Sequence, residues 1–278
     1  MMHCIKTKHC KSQIINSTDD FTWFYCLECS LLYTGKKNTQ SKHFKNRLKI
    51  FDNFPNSNKY EFQNILKKIK KIKTIKNKEW LDYGCGAGSC LSQVKSDTTK
   101  ITGFEPNKIL FKKAKKEGLP VFNNLKNLKK NKKFDVVFTR NTFKYIDNFP
   151  EKIFEISEKI KKGGLLVWRD KFFNYYPLSA MKNKKLDNLQ ESLITGSYLN
   201  KNAIKYHLNV NKFKILYSKF YLDNSFLIIT KKTSNIINPT NHVLNLDLFL
   251  IRNQFLVELI HFMRKSILFF LNTLKKLI

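Results

Sequence analysis

Residues 79–94, EWLDYGCGAGSCLSQV, constrain the fold of this chain more than any other stretch. A short apolar run there indicates the end of a buried strand, and glycines follow at positions 84, 86 and 88. Apolar residues then return at helical spacing with Leu91 and Val94. A strand, a glycine turn and a helix start predict a ligand-binding loop, because glycine allows a tight turn and lets a ligand approach without a Cβ in the way.

Two acidic residues narrow the ligand that such a loop would bind. Asp82 lies two positions before Gly84, and Glu105 ends the next apolar run, residues 101–104. A dinucleotide site prefers the spacing G-x-G-x-x-G, and a carboxylate beside it would repel a pyrophosphate. Asp82 instead suits a ligand that carries an ammonium and a sulfonium. Glu105, at the end of a second strand, is placed to accept both hydroxyls of a ribose.

Asp82, the three glycines and Glu105 together resemble the nucleotide-binding half of class I S-adenosylmethionine (SAM) methyltransferases, whose first motif is L-D-x-G-C-G-x-G. The alternative is an ordinary glycine turn whose acids cap helices. The resemblance covers about residues 59–232, which we expect to form the SAM-binding domain. It implies an α/β, Rossmann-like, doubly wound fold with a mostly parallel seven-stranded sheet and an antiparallel last strand.

The order of apolar runs agrees with this fold, because alternating strands and helices indicate a mostly parallel sheet wrapped by helices. A helical stripe at residues 59–76 precedes the first strand. Beyond the strand that ends at Asp82, the sequence predicts strands at 101–104, 121–122, 134–138, 165–168, 213–217 and 226–230. It predicts helices at 107–117, 150–161 and 200–208.

The ligand of a doubly wound sheet lies beyond the carboxyl ends of its strands, which places several polar segments around it. With the resemblance, they predict a cofactor site formed by Asp82, Gly84, Cys85, Gly86, Gly88, Glu105, Pro106, Asn123, Asn124, Arg140 and Asn141. Asn123 and Asn124 are equally suited to a turn. Phe143 fits either the core or a wall of the pocket.

The catalytic base is the least defined part of the predicted site. In many relatives the stretch after the strand predicted at residues 134–138 is similar to V-L-E-H, and its histidine can act as a base. Here Phe143, Lys144 and Tyr145 stand at those positions. Tyr145 is the candidate for positioning or proton transfer, although its reference pKa near 10 favours a packing role. We expect His207, in a late helix, to be an ordinary surface or helix-end residue.

Residues 1–35 form a separate small unit with four cysteines, Cys4, Cys10, Cys26 and Cys29. The C-x-x-C spacing of the second pair lets one turn present two thiolates to a metal. The segment resembles the zinc-ribbon prefix of some SAM methyltransferases, although its first pair is separated by five residues and His9 can substitute for one thiolate. The resemblance implies one structural zinc ion; the alternative is a set of free thiols.

The formal net charge of +31 invites a nucleic-acid interpretation. However, only five of the 52 basic residues are arginines, whose planar fork suits phosphate and base recognition, and the lysines are spread along the whole chain. We therefore do not expect a nucleic-acid partner and interpret the charge as a solvated lysine coat. Attraction to anionic lipid headgroups or to acidic substrates remains an alternative.

The remaining segments are a linker at residues 36–58 and a C-terminal segment at 240–278. The latter repeats apolar residues at helical spacing with a narrow polar stripe, as in a helix that must cover a large surface. Charges interrupt it, so it does not indicate a spanning helix. We expect this segment to pack on the chain, form a homodimer, or lie in a membrane surface.

These features predict a SAM-dependent methyltransferase with a small-molecule acceptor, and association with related pathways favours a sugar or surface-polysaccharide precursor. The alternatives are methyl transfer to RNA or protein, or a non-catalytic binding protein. An N-P-P-Y-type motif is absent after the strand at 134–138, which weakens the RNA or protein alternative. The N-terminus has no apolar stretch of a signal peptide, so we expect a cytoplasmic protein, with peripheral membrane contact through residues 240–278 as an alternative.

Overall fold

The computed structural model describes residues 12–17, 22–29, 31–35, 57–95, 100–128, 131–143, 146, 149–171, 197–221, 225–235, 262–263 and 266–267. The strands are β1 (Ser12–Ser17), β2 (Thr22–Cys26), β3 (Leu32–Gly35), β4 (Trp80–Tyr83), β5 (Ile101–Phe104), β6 (Val121–Phe122), β7 (Phe134–Arg140), β8 (Ile160–Lys171), β9 (Ser197–Tyr198), β10 (Phe213–Phe220) and β11 (Ser225–Lys232). The helices are α1 (Ser57–Ile72), α2 (Ser89–Val94), α3 (Lys108–Lys116), α4 (Phe149–Glu158) and α5 (Lys201–Val210).

Seven strands form the central sheet in the order β10-β11-β8-β7-β4-β5-β6. The pairs β4–β5, β4–β7, β5–β6 and β7–β8 are parallel, whereas β11 is antiparallel to both β8 and β10. The predicted α/β fold with an antiparallel last strand is therefore confirmed. The carboxyl ends of β4, β5, β6 and β7 consequently lie along one edge of the sheet.

Helices cover the two faces of this sheet because alternate strand residues point to opposite sides. Val136 and Phe138 of β7 share a core with the apolar residues of α1, α2 and α3. Val137 of β7 and Leu166 and Trp168 of β8 face the other way, onto α4 and α5. Both faces of the central strands are buried, which explains their continuous apolar runs.

The N-terminal strands form a second sheet in the order β1-β2-β3-β9, all antiparallel. The strands β2 and β3 form a hairpin. The strand β9 reaches this sheet from the far part of the chain, where Tyr198 pairs with Leu32. Cys26, Cys29 and Leu31 share a core with α4 and α5, so this sheet packs against the helices on that side.

The surface position expected for His207 is wrong. The residue lies in the last turn of α5, as its sequence position indicates, but its side chain is completely buried. Its ring contacts Phe149 edge-on, with ring centroids 5.1 Å apart. The apolar face of α5 turns toward the sheet, and His207 lies on that face with Ala203, Ile204 and Leu208.

The strand β8 begins five residues earlier than the sequence indicates. Residues 160 and 161 were predicted to end a helix, but Ile160 pairs with Phe134 of β7. The amide of Phe134 also donates to the Lys159 carbonyl at 2.8 Å. The sheet therefore competes successfully with the helix for these residues, because a parallel neighbour is available to satisfy their backbone groups.

Most of the predicted C-terminal segment, residues 240–278, lies outside the described residues. Residues 262–263 and 266–267 are helical, and Phe262, Met263 and Ile267 are exposed. Within the part of the chain that the structure describes, no helix combines the length and apolar character needed to cross a membrane. The packing, dimer and membrane alternatives for this segment stay predictions.

Candidate functional site

The loop between β4 and α2 is packed on one side and open on the other. Its glycines have left-handed backbone angles, with φ of 79° at Gly84, 58° at Gly86 and 91° at Gly88. A Cβ at Gly84 would overlap the side chain of Thr142, whereas a Cβ at Gly86 would have no atom within 4 Å. The open side of Gly86 therefore gives a ligand direct access to the backbone.

Hydrogen bonds fasten this loop to the end of β5. The amides of Gly84 and Cys85 donate to the carbonyl of Phe104 at 2.8 and 3.0 Å. The amide of Gly86 donates to a carboxylate oxygen of Glu105 at 2.9 Å. The loop and the acid predicted to bind a ribose are thus joined directly.

Glu105 is a buried acid that still has acceptor capacity. Its second oxygen accepts the amide of Asn107, which begins α3, at 2.8 Å. Burial raises the pKa of Glu105, and the two backbone amides oppose that rise. A carboxylate offers about four lone-pair positions, so two amides leave room for about two further donors. The two hydroxyls of a ribose match that remaining capacity.

Asp82 is the second buried acid at this edge, and its side chain is 2% exposed. Burial raises its pKa to about 7, while Arg140 lowers the value and Glu105 raises it further. Near neutral pH this carboxyl is therefore poised between its protonated and charged forms. A ligand cation placed beside it would favour the charged form.

Arg140, at the end of β7, carries a buried donor group whose hydrogen-bonding capacity is unfilled by the described residues. Its Nη1 atom makes no hydrogen bond. That atom forms a long ion pair with Glu61 of α1, at 4.0 Å. Glu61 instead accepts a hydrogen bond from Arg169 Nε of β8 at 2.7 Å. The Arg140 guanidinium therefore retains donors that suit a carboxylate ligand.

The turn after β7 is fixed by its neighbours on both sides. Asn141 has a φ of 53°, which is uncommon for a residue other than glycine, and its amide donates to the Arg169 carbonyl at 2.9 Å. The hydroxyl of Thr142 lies 3.2 Å from the Tyr83 carbonyl. The amide of Phe143 donates to the buried Asp170 carboxylate at 3.0 Å. The segment thereby closes over Gly84.

Phe143 belongs to the core and not to a pocket wall. Its side chain is completely buried. The ring packs edge-on against Trp168, with centroids 4.8 Å apart, and edge-on against Phe149 at 5.3 Å. These contacts hold the turn after β7 on the side of the sheet that α4 and α5 cover.

The remaining predicted residues are distributed around this edge. The Cys85 thiol is buried, and burial raises its pKa well above the usual range, so it is not a reactive thiolate. Asn124 caps a 3₁₀ turn by accepting the Lys126 amide, as expected of a turn residue, while Asn123 and Pro106 are exposed. Tyr145 lies outside the described residues. All these site assignments stay predictions.

Only half of the proposed zinc site falls within the described residues. Cys26 ends β2 and Cys29 lies in the following turn; both are buried, and the Cys29 amide donates to the Cys26 sulfur at 3.4 Å. Cys4, Cys10 and His9 lie outside the described residues. Among the residues that are described, no group of three or more His, Cys, Asp or Glu side chains could hold a metal ion. The zinc site stays a prediction.

Three residues of the site were missed from the sequence: Glu61, Arg169 and Asp170. Asp170 follows the apolar run of β8, so the rule that selected Asp82 and Glu105, an acid after a buried strand, would have found it. Glu61 is the only acid of α1. Its partnership with arginines of β7 and β8 depends on how α1 crosses the sheet, which no local pattern reports.

The comparison with known families decides how these features are classified. A family model described as a methyltransferase domain matches residues 57–205, more than half of the chain. The chain belongs to this methyltransferase domain family. The match starts with α1 and ends within α5, so it contains the glycine loop, both buried acids and Arg140. No curated protein sequence matches this methyltransferase chain.

Solved structures that are similar to this methyltransferase domain share little sequence with it. Magnesium protoporphyrin IX methyltransferase from Synechocystis PCC 6803, with bound SAH, has a TM-score of 0.52 at 15% identity over 70% of this chain and 96% of that chain. The YcgJ protein from Bacillus subtilis has a TM-score of 0.50 at 11% identity, over 63% of this chain and 100% of that chain. A SAM-dependent methyltransferase from Clostridium acetobutylicum has a TM-score of 0.49 at 15% identity, over 69% of this chain and 97% of that chain. At these identities, the first two likenesses show the fold alone.

The packing of the glycine loop predicts different outcomes for three alanine substitutions. Gly118→Ala is the control, because Gly118 has a φ of 66° and open space where a Cβ would lie. It should lower the free energy of unfolding by about 1–2 kcal/mol, the cost of a left-handed alanine. Gly86→Ala should match it in stability and weaken ligand binding. Gly84→Ala should be less stable than either, because it also overlaps Thr142.

Urea unfolding of the three variants measures the stabilities, and calorimetry with SAM measures the binding. The double variant Gly84→Ala/Thr142→Ala should regain part of the stability lost by Gly84→Ala. Equal stabilities for Gly84→Ala and Gly118→Ala would contradict the packing of Thr142 on the loop. Unchanged SAM affinity in Gly86→Ala would contradict ligand access at its open side.

Proposed function

We propose that this chain is a SAM-dependent methyltransferase that acts on a small-molecule acceptor. The observation that carries the proposal is the arrangement of the three charged side chains Asp82, Glu105 and Arg140 around the glycine loop. Each of these groups is buried or nearly so, which is unfavourable without a partner. A ligand with matching charges and hydroxyls would therefore be bound strongly.

The functional groups of SAM fit this arrangement. Its ribose hydroxyls would meet the free acceptor capacity of Glu105. Its ammonium suits the Asp82 carboxyl, and its carboxylate suits the Nη1 donor of Arg140. The open side of Gly86 would allow the ligand to lie against the loop backbone. Each contact uses capacity that the described protein groups leave unfilled.

When bound, SAM supplies a methyl group on a sulfonium, which a nucleophile can displace in line. The chain's own residues would hold the two ends of the cofactor. They must also align the acceptor and, for a hydroxyl or amine acceptor, remove a proton. Tyr145 stays the candidate for that proton transfer. A sugar or surface-polysaccharide precursor stays the first acceptor to test.

Two measurements test this function. Calorimetry should show SAM binding at one site per chain, and incubation with methyl-labelled SAM and cell extract should transfer label to a small molecule. Failure to bind SAM would overturn the proposal. Binding without turnover over a panel of acceptors would favour the non-catalytic alternative, and label in RNA or protein would favour the macromolecular one.

Asp82 makes SAM binding depend on pH. Because the free carboxyl has a pKa of about 7 and the bound ammonium would favour its charged form, binding below that pH should release a proton. Affinity should therefore rise by up to about tenfold per pH unit as pH increases from about 5.5 to 7. Calorimetry in two buffers of different ionisation enthalpy measures the released proton.

The control for this prediction is Asp82→Asn, which keeps the size of the side chain and cannot ionise. The variant should bind more weakly near neutral pH and should lose the proton release in this pH range. If wild type and variant release the same number of protons, another group is responsible.

The predicted structural zinc can be tested separately from methyl transfer. Metal analysis of the chain purified without chelators should give one zinc ion per chain, because Cys26 and Cys29 have the spacing of a zinc knuckle. The variant Cys29→Ser should contain less than one zinc ion per chain. A metal-free chain with a folded N-terminal sheet would reject the zinc.

A further inference from the structure

Charged residues are segregated between the two faces of the molecule. The helices α1 and α3 carry five lysines each, and α2 carries none. Within the bounds of these three helices the only acid is Glu61, which is paired with Arg169. On the opposite face, α4 and α5 together contain three lysines and three glutamates. A uniform lysine coat would not produce this difference.

We call the exposed lysines of α1 and α3 the basic face. Its members lie on the outer side of helices whose inner sides pack on the central sheet: Lys67, Lys70, Lys71, Lys108, Lys112, Lys113, Lys115 and Lys116. The face contains no arginine, and the one exposed acid that directly follows these helices among the described residues is Glu117, after α3. It is therefore a broad positive surface made of point charges.

Two large apolar side chains are exposed beside this face, at the edge that carries the candidate site. Tyr60, in the first turns of α1, is 74% exposed, and Ile109, at the start of α3, is 50% exposed. The adjacent Glu61 reaches Arg169 at the carboxyl edge of the sheet. Ile109 donates its amide to the side chain of Asn107, the α3 cap two residues after Glu105. Tyr60 and Ile109 therefore belong to the helix starts at the carboxyl edge of the sheet.

We propose that the basic face binds the surface of an anionic lipid bilayer. Lysine carries its charge on a long flexible stem and can reach headgroups while the stem stays in contact with apolar surface. Tyrosine and isoleucine side chains suit the interface beneath those headgroups. A nucleic-acid surface would instead favour arginine forks. Contact through this face would lay α1 and α3 along the bilayer, and the proposal does not depend on methyl transfer.

The test uses the full chain and vesicles of phosphatidylcholine with about one quarter phosphatidylglycerol, with pure phosphatidylcholine vesicles as the neutral control. Co-sedimentation should be seen with the anionic vesicles alone and should weaken as salt increases. The variant Lys67→Glu/Lys71→Glu/Lys112→Glu/Lys116→Glu should bind them about tenfold more weakly or worse. Its matched control changes four exposed lysines outside the basic face: Lys133→Glu/Lys162→Glu/Lys205→Glu/Lys214→Glu.

The matched control has the same net charge as the face variant, so it separates the face from overall charge. Equal weakening in both would overturn the proposal. Unchanged binding by the face variant would also overturn it and would place the contact elsewhere, for example in residues 240–278.

A second variant, Tyr60→Ser/Ile109→Ser, leaves every charge in place and tests the apolar contacts. It should reduce vesicle binding without changing its salt dependence. If the chain ignores the vesicles but binds an oligonucleotide through the same lysines, the partner is a nucleic acid and the lipid proposal fails.

Discussion

Replacing Glu105 with alanine is expected to lower the affinity for SAM by about a hundredfold or more. The carboxylate would accept two ribose hydroxyls, and hydrogen bonds to a charged group contribute about 1.5–3 kcal/mol each. It also holds the amides of Gly86 and Asn107, at 2.9 and 2.8 Å, so its removal loosens the loop that faces the ligand. Calorimetric titration of wild type and variant measures the difference.

A control separates ribose binding from loosening of α3. The Asn107 side chain caps α3 by accepting the amides of Ile109 and Leu110 at 3.0 and 3.1 Å. Asn107→Ala should cost about 1 kcal/mol of stability and leave SAM affinity nearly unchanged. Equal SAM affinity in wild type and Glu105→Ala would remove Glu105 from the binding site.

The buried His207 is expected to make the chain less stable in mild acid. Burial lowers its pKa from 6.5 to about 4, and both ring nitrogens lack hydrogen-bond partners among the described residues. Between these two pH values the unfolded chain binds the proton and the folded chain does not. The contribution of neutral His207 to the free energy of unfolding is therefore fully present above about pH 6.5. That free energy falls by about 3 kcal/mol as pH drops to about 4.

The substitution His207→Leu tests this assignment, because leucine fills a similar volume and cannot be protonated. Urea unfolding at pH 7 and pH 5 should show a wild-type loss about 2 kcal/mol larger than that of the variant. At pH 7 the variant should be at least as stable as wild type, since it removes two unpaired buried nitrogens. Parallel losses in both proteins would show that another group titrates.

Local sequence patterns were sufficient to predict the secondary-structure elements that carry the candidate site. The apolar run before Asp82, the spaced glycines and the acid after the next strand predicted a strand, a turn and a helix in the observed order. This works because each feature depends on neighbours in the chain: glycine on its own backbone angles, and buried parallel strands on continuous apolar residues. Asp82 and Glu105 accordingly lie beside the loop, with both carboxyls buried.

Contacts between distant segments could not be obtained in this way. Glu61 joins Arg169 across 108 positions of sequence, and Thr142 packs on Gly84 from the turn after β7. His207 was expected at the surface or at a helix end; it lies in the last turn of α5, yet the packing of α5 on the sheet buries it. The sequence alone determined which elements form and which residues follow each strand, because these depend on local backbone and burial preferences. The tertiary structure alone decided which charged side chains form ion pairs and which side chains are buried. It also decided that the lysines of α1 and α3 lie on one face, because all of these depend on how the elements pack.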